Sequence, residues 1–183
     1  LSGRDIDDLK EILVDEYENK KTRKDILQRL SEYQCLDKDT VLDLIGSQEQ
    51  GVSRLTVDNL DKLMRPNAYD LTFLKECVAA VNGHDDTGTE RRLVSKILDI
   101  DVKNGVTALL ELKIIEIGVK RRLTTELIRH KDQIVDSGVI EEALILAKEC
   151  HKKAEDKGWR DDCLQLIKEL EDLEKNRSEE HTS

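Results

Sequence analysis

Cysteine and histidine are the residues of this sequence best equipped for chemistry, and their spacing argues against it. Cys35, Cys77, Cys150 and Cys163 stand far apart, as do His84, His130, His151 and His181. Zinc sites usually draw ligands from closely spaced Cys or His pairs. The adjacent pair Cys150-His151 points its side chains about 100° apart on a helix, a poor arrangement for chelating one ion. No Ser/His/Asp order comes with a nucleophile elbow, and the glycines of 83–88 are not spaced as a phosphate loop. Adjacent carboxylates such as Asp7-Asp8 and Glu141-Glu142 diverge on a helix and cannot flank a common bond. The sequence therefore predicts no catalytic residue, no metal, no cofactor and no enzymatic activity. The cysteines lack framework spacing and the chain opens without a secretory leader, so free thiols in a reducing cytoplasm are the expectation.

Charge placement says more. The formal net charge is −10, charged residues make up 38% and aromatics 3%. That balance opposes binding to a phosphate backbone or to stacked bases. No apolar run approaches the roughly 18–20 residues of a membrane span. Against this background opposite charges segregate. The first helical stripe gathers Asp5, Asp7, Asp8, Glu11, Asp15, Glu16 and Glu18, whereas Lys120, Arg121, Arg122, Arg129, His130 and Lys131 crowd one later segment. Complementary fields speed encounter and set register, and head-to-tail contacts that do not close build open assemblies. The expected partner-binding residues are Asp7, Asp8, Glu11 and Asp15 on one side, and Arg121, Arg122, Arg129 and Lys131 on the other. The partner is expected to be a protein, a second copy of the chain included.

The elements that must position these charges are all helical. Apolar residues recur at helical spacing in Ile6, Leu9, Leu13, then Ile26, Leu27, Leu30, and so on to Leu164, Ile167, Leu170, with no strand alternation. The polar, glycine-bracketed segment Gly83–Gly88 predicts a linker between helical units 1–86 and 88–174, followed by a disordered polar tail, 175–183. Helices are predicted in the second half at about 89–98, 105–117, 120–134, 138–157 and 159–174.

The two halves also align. Leu27 and Leu30 fall on Leu109 and Leu112, Leu44-Ile45 on Leu127-Ile128, and Val57 on Ile140. An insertion near 148–157 then brings Leu71–Cys77 onto Leu164–Leu170. Each copy carries a pair of spaced leucines (Ile26-Leu27-Gln-Arg-Leu30; Leu109-Leu110-Glu-Leu112). A helix begun through Leu36-Asp37 or Leu123-Thr124 follows, then apolar anchors at Leu60–Met64, Phe73-Leu74 and Ala143–Ala147, with Trp159 as a core anchor. In these residues the chain resembles the death-fold superfamily, and within it the CARD pattern. Two such units in tandem resemble the amino-terminal signalling half of RIG-I-like receptors. The resemblance implies two six-helix bundles that assemble with other death-fold domains in apoptosis or innate-immunity signalling. Copy one has no counterpart of Trp159. The alternative for the same periodicity is a continuous armadillo/HEAT-like superhelix whose groove binds a peptide or helix.

Overall fold

The structure, a computed structural model, describes the chain apart from Glu16, Tyr17, Gln48, residues 82–86, Lys113, Ile115 and Ser183, and without the side chains of Gln50, His181 and Thr182. Among the described residues it is all-α, with twelve helices and no strand. The first six are α1 Gly3–Leu13, α2 Lys20–Leu30, α3 Lys38–Ile45, α4 Gln50–Asp58, α5 Leu60–Leu63 and α6 Leu71–Val81. The second six are α7 Thr87–Ile100, α8 Val102–Leu112, α9 Ile117–Arg129, α10 Lys131–Ser137, α11 Ile140–Lys153 and α12 Lys157–Thr182.

Short polar side chains start several of these helices. Ser2 and Asp5 form a reciprocal capping box on α1, Asn19 accepts from the Thr22 N–H, and Asp37 accepts from the Thr40 N–H at 2.8 Å. Asn59 leaves helical geometry between α4 and α5, and its side-chain amide donates to the Leu55 carbonyl at 2.8 Å. His130 breaks the helix predicted over 120–134 into α9 and α10 with the same kind of backbone turn. Gly138 closes α10 in the left-handed region, φ 72°, with the N–H groups of Gly138 and Val139 donating to the carbonyls of Val135 and Ile134.

By proximity the chain divides into two compact units, Leu1–Leu93 and Val94–Ser183. The division lies inside α7. Residues 83–86 of the expected linker lie outside the described residues, and its last two, Thr87 and Gly88, open the helix. The first part of α7 belongs to the first unit: Arg92 pairs with Asp58 at 3.1 Å, and Gly88 is buried against the Arg54 guanidinium.

In the first unit α1 packs on α2, α2 on α4, α3 on α4 and α6, and α4 on α5. The pairings α2·α4, α3·α4, α3·α6 and α4·α5 reappear in the second unit as α8·α10, α9·α10, α9·α12 and α10·α11. Four pairings thus recur, whereas α1·α2 in the first unit and α8·α11, α9·α11, α10·α12 and α11·α12 in the second are not matched. Pairings such as α3·α6 and α8·α11 bring together helices three apart in order and fold each unit back on itself. The copies differ where the insertion falls: α5 has 4 residues and α11 has 14, and α11 lies along α12. The tail predicted as disordered is helical through Thr182. Its Glu, Lys and Arg are strong helix formers, and Arg177 donates to the Val135 carbonyl at 3.2 Å.

Both cores are aliphatic. Leu13, Leu30, Leu44, Leu60, Leu63 and Phe73 are completely buried in the first unit, and Val94, Ile97, Val106, Leu127, Ile134 and Leu170 in the second. Gly105 of α8 lies against the backbone of α7, where an added Cβ would sit 2.8 Å from the Ile97 carbonyl oxygen. Gly105→Ala should therefore lower unfolding stability by about 1–3 kcal/mol, the usual cost of overpacking, read from the urea midpoint. An unchanged midpoint would mean that α7 and α8 separate at no cost.

The capping carboxylates set the acid limit. Hydrogen bonds from Ser2, Thr40 and Asn104 hold Asp5, Asp37 and Asp101, respectively, below their ordinary value of 3.8. A depressed folded value stabilises the fold above the unfolded value and is lost as pH falls through the folded one. The urea midpoint should therefore change little between about pH 7 and about pH 5 on account of these groups, then fall below about pH 4. The double variant Asp37→Asn/Asp101→Asn keeps capping oxygens that do not titrate, and its decline in acid should be shallower.

Candidate functional site

The acidic residues singled out in the sequence lie on the outer side of the first unit. Asp7, Asp8 and Glu11 are exposed on α1, and no ion pair among the described residues involves them. Their spacing puts Asp8 one turn before Ile12, itself 39% exposed. Asp15 lies past the helix end, exposed, in a turn where its N–H donates to the Ile12 carbonyl. The helix is anchored from behind by Arg23. This side chain is almost fully buried, and its Nε donates to the Leu13 carbonyl at 3.0 Å while its guanidinium meets Glu49 at 3.3 Å.

The basic residues are differently placed. Arg121 is exposed but pairs with Asp156 at 3.2 Å. Arg122 is half-buried and donates to Ser95 Oγ at 3.3 Å. Lys131 meets Glu169 at 2.9 Å, a contact that raises the lysine and lowers the glutamate from their ordinary values. Arg129 is bound most tightly: one terminal nitrogen lies 2.6 Å from both Asp99 Oδ1 and Glu126 Oε2. These bonds, to Glu126 first and Asp99 second, raise its pKa further. All four expected basic contacts are thus engaged by acceptors of their own unit.

Around Arg129 the structure assembles a cluster that sequence reasoning missed. Glu126 is 5% exposed, accepts from Ser95 Oγ at 3.1 Å and takes two bonds from Arg129. His130, equally buried, has Nδ1 at 2.9 Å from the Glu126 carbonyl and Nε2 at 3.1 Å from Asp99 Oδ1. Asp99, Glu126 and His130 bring their ligand atoms within 4.8 Å of one another. Two carboxylates and an imidazole are a donor set suited to a divalent cation, and here both carboxylates are bonded to Arg129. The chain's own guanidinium compensates the carboxylates. Spacing gave one usable signal, Glu126 and His130 one turn apart, whereas Asp99 arrives from another helix.

No protein family, characterised protein or solved structure matches this chain. The sites are therefore judged on their geometry alone. No helix among the described residues is long and apolar enough to cross a membrane.

The thiols offer little nucleophilicity. Burial pushes Cys77 up to about 12 and Cys150 up to about 11, and it raises Cys35 and Cys163 as well. The thiolate is the reactive form. An aromatic disulfide reagent near pH 8 should modify Cys35, the one cysteine short of full burial, well before the other three. Those should react only at the rate of unfolding. Fast labelling of Cys150 or Cys163 in the folded chain would contradict their burial.

Proposed function

We propose that this chain is a protein-interaction module of intracellular signalling: two death-fold-like bundles in tandem that bind a basic surface on a like domain. The observation that carries the reading is the asymmetry between the charged sets. Asp7, Asp8 and Glu11 are exposed on the helix that also carries the exposed Ile12 and have no ion pair among the described residues, whereas every member of the basic set is engaged within its own unit. A charged rim around an apolar contact is common interface anatomy. The repeated pairings of six helices with six support the tandem organisation. Recognition then runs through α1 toward a partner's cations, and a head-to-tail contact through Arg121, Arg122, Arg129 and Lys131 of a second copy is the weaker route.

The test is a binding measurement against purified death-fold domains that present a basic helical face, by biolayer interferometry at about 0.05 M and about 0.5 M salt. Binding should weaken at least about tenfold in the higher salt and be lost in Asp7→Lys/Asp8→Lys/Glu11→Lys. That variant should keep its folding stability within about 0.5 kcal/mol, as exposed substitutions do. Arg121→Glu/Arg122→Glu should leave binding in place. Failure to bind any such domain, or undiminished binding by the triple variant, rejects the proposal.

A further inference from the structure

Glu126 and His130 are nearly buried where α9 ends, and Asp99 reaches them from α7. Among the described residues Arg129 is the only lysine or arginine that pairs with either carboxylate. One of its terminal nitrogens lies 2.6 Å from both Asp99 Oδ1 and Glu126 Oε2. A single monovalent cation thus answers two carboxylates. Other groups orient the same side chains. Glu126 Oε1 accepts from Ser95 Oγ at 3.1 Å, which leaves Oε2 turned toward Arg129. His130 Nδ1 lies 2.9 Å from the Glu126 carbonyl, and Nε2 lies 3.1 Å from Asp99 Oδ1. A neutral ring with its N–H on Nε2 donates to Asp99. With its N–H on Nδ1 it donates to the carbonyl and turns the Nε2 lone pair toward Asp99. The second form is the one a metal takes, its free nitrogen held by a backbone carbonyl.

We propose that Asp99, Glu126 and His130 form a zinc site, in which the ion takes the place of the Arg129 guanidinium and ties α7 to α9 inside the second unit. The three ligand atoms already lie within 4.8 Å of one another. Zinc bonds of about 2.0–2.2 Å set tetrahedral neighbours about 3.4 Å apart. The 3.1 Å between Asp99 Oδ1 and His130 Nε2 needs little change, and the Glu126 carboxylate closes on the pair. The imidazole favours zinc over calcium and magnesium, which take oxygen ligands. Two positive charges match two carboxylates where the guanidinium supplied one. Arg129 is half-exposed, so it turns into water as the ion enters and the core stays covered. A fourth position is left to a water molecule. The site uses no residue of α1 and stands whether or not that helix binds a partner.

Isothermal titration calorimetry of zinc chloride into the full chain tests this, at one fixed pH because metal affinity depends on it. One ion should bind per chain. Asp99→Asn, at a half-exposed position, should weaken binding at least about tenfold, and Ser95→Ala, which acts only by orienting Glu126, should also weaken it about tenfold or more. His130→Gln should abolish binding, and circular dichroism checks that each variant keeps its helices. Arg129→Gln removes the competing cation and should tighten binding. Cys35→Ser, which removes the one thiol short of full burial, should change nothing. An unaltered chain that takes up no zinc overturns the site, and so does affinity that survives both Asp99→Asn and His130→Gln. Loss of binding in Cys35→Ser would put the ion at the thiol and refute the trio. Binding that fails to tighten in Arg129→Gln would refute the exchange of guanidinium for metal.

Discussion

Helices α1 to α11 run from 4 to 14 residues, and isolated helices shorter than about 12–15 residues are marginal in water. Each therefore persists because neighbours cover its apolar stripe, and the two units hold as the sum of those burials. One Phe and one Trp in the whole sequence leave the task to Leu, Ile and Val. Aliphatic side chains fill a core densely only when helices cross closely, which is why Gly105 lies against the α7 backbone. The polar atoms taken inside are satisfied locally. Trp159 Nε1 donates to Thr124 Oγ1 at 3.0 Å, and the Thr124 hydroxyl donates to the Lys120 carbonyl at 3.0 Å. Ser53, fully buried, meets the last carbonyls of α3 at Leu44 and Ile45.

Short helices also mean many ends, and each end exposes backbone groups without helical partners. Each unit answers with a nearly buried charge. Arg23 spends its Nε on the Leu13 carbonyl at the end of α1, and Glu126 gathers Ser95 and Arg129 where α9 ends. A buried charge is tolerated only with its partners in place. These residues therefore specify which helix end meets which, while apolar contact sets how strongly the helices hold.

The helical class was legible because apolar period and polar helix starts agree along the chain, as in Asp37 before Val41. The repeated spacing meets a partial repeat in the fold: the aligned Leu44 and Leu127 are both fully buried, whereas Ile45 is buried and Ile128 is 43% exposed, and the expected insertion near 148–157 falls at the end of the long α11. Three features were not legible. The polar segment after Val81 reads as a boundary, yet Thr87–Leu93 continue as helix against the first unit, a choice made by distant residues such as Asp58 and Arg54. The acidic tail reads as disordered because composition omits the anchor Arg177 finds at Val135. The basic cluster reads as a free patch because its counter-charges, Asp99, Asp156 and Glu169, lie about 25–40 positions away in sequence.

That last failure explains why the two halves differ in electrostatics while sharing four of their pairings. With Leu44-Ile45 aligned on Leu127-Ile128, Asp43 corresponds to Glu126, Asp39 to Arg122, and Gly46 to Arg129. The carboxylate position is acidic in both copies, but the cations that answer it occur only in the second. There Asp99 of α7 and the buried Glu126 of α9 both pair with Arg129. The first unit has Asp39 and Gly46 at the matching positions, and the carboxylates of α1 stay in solvent.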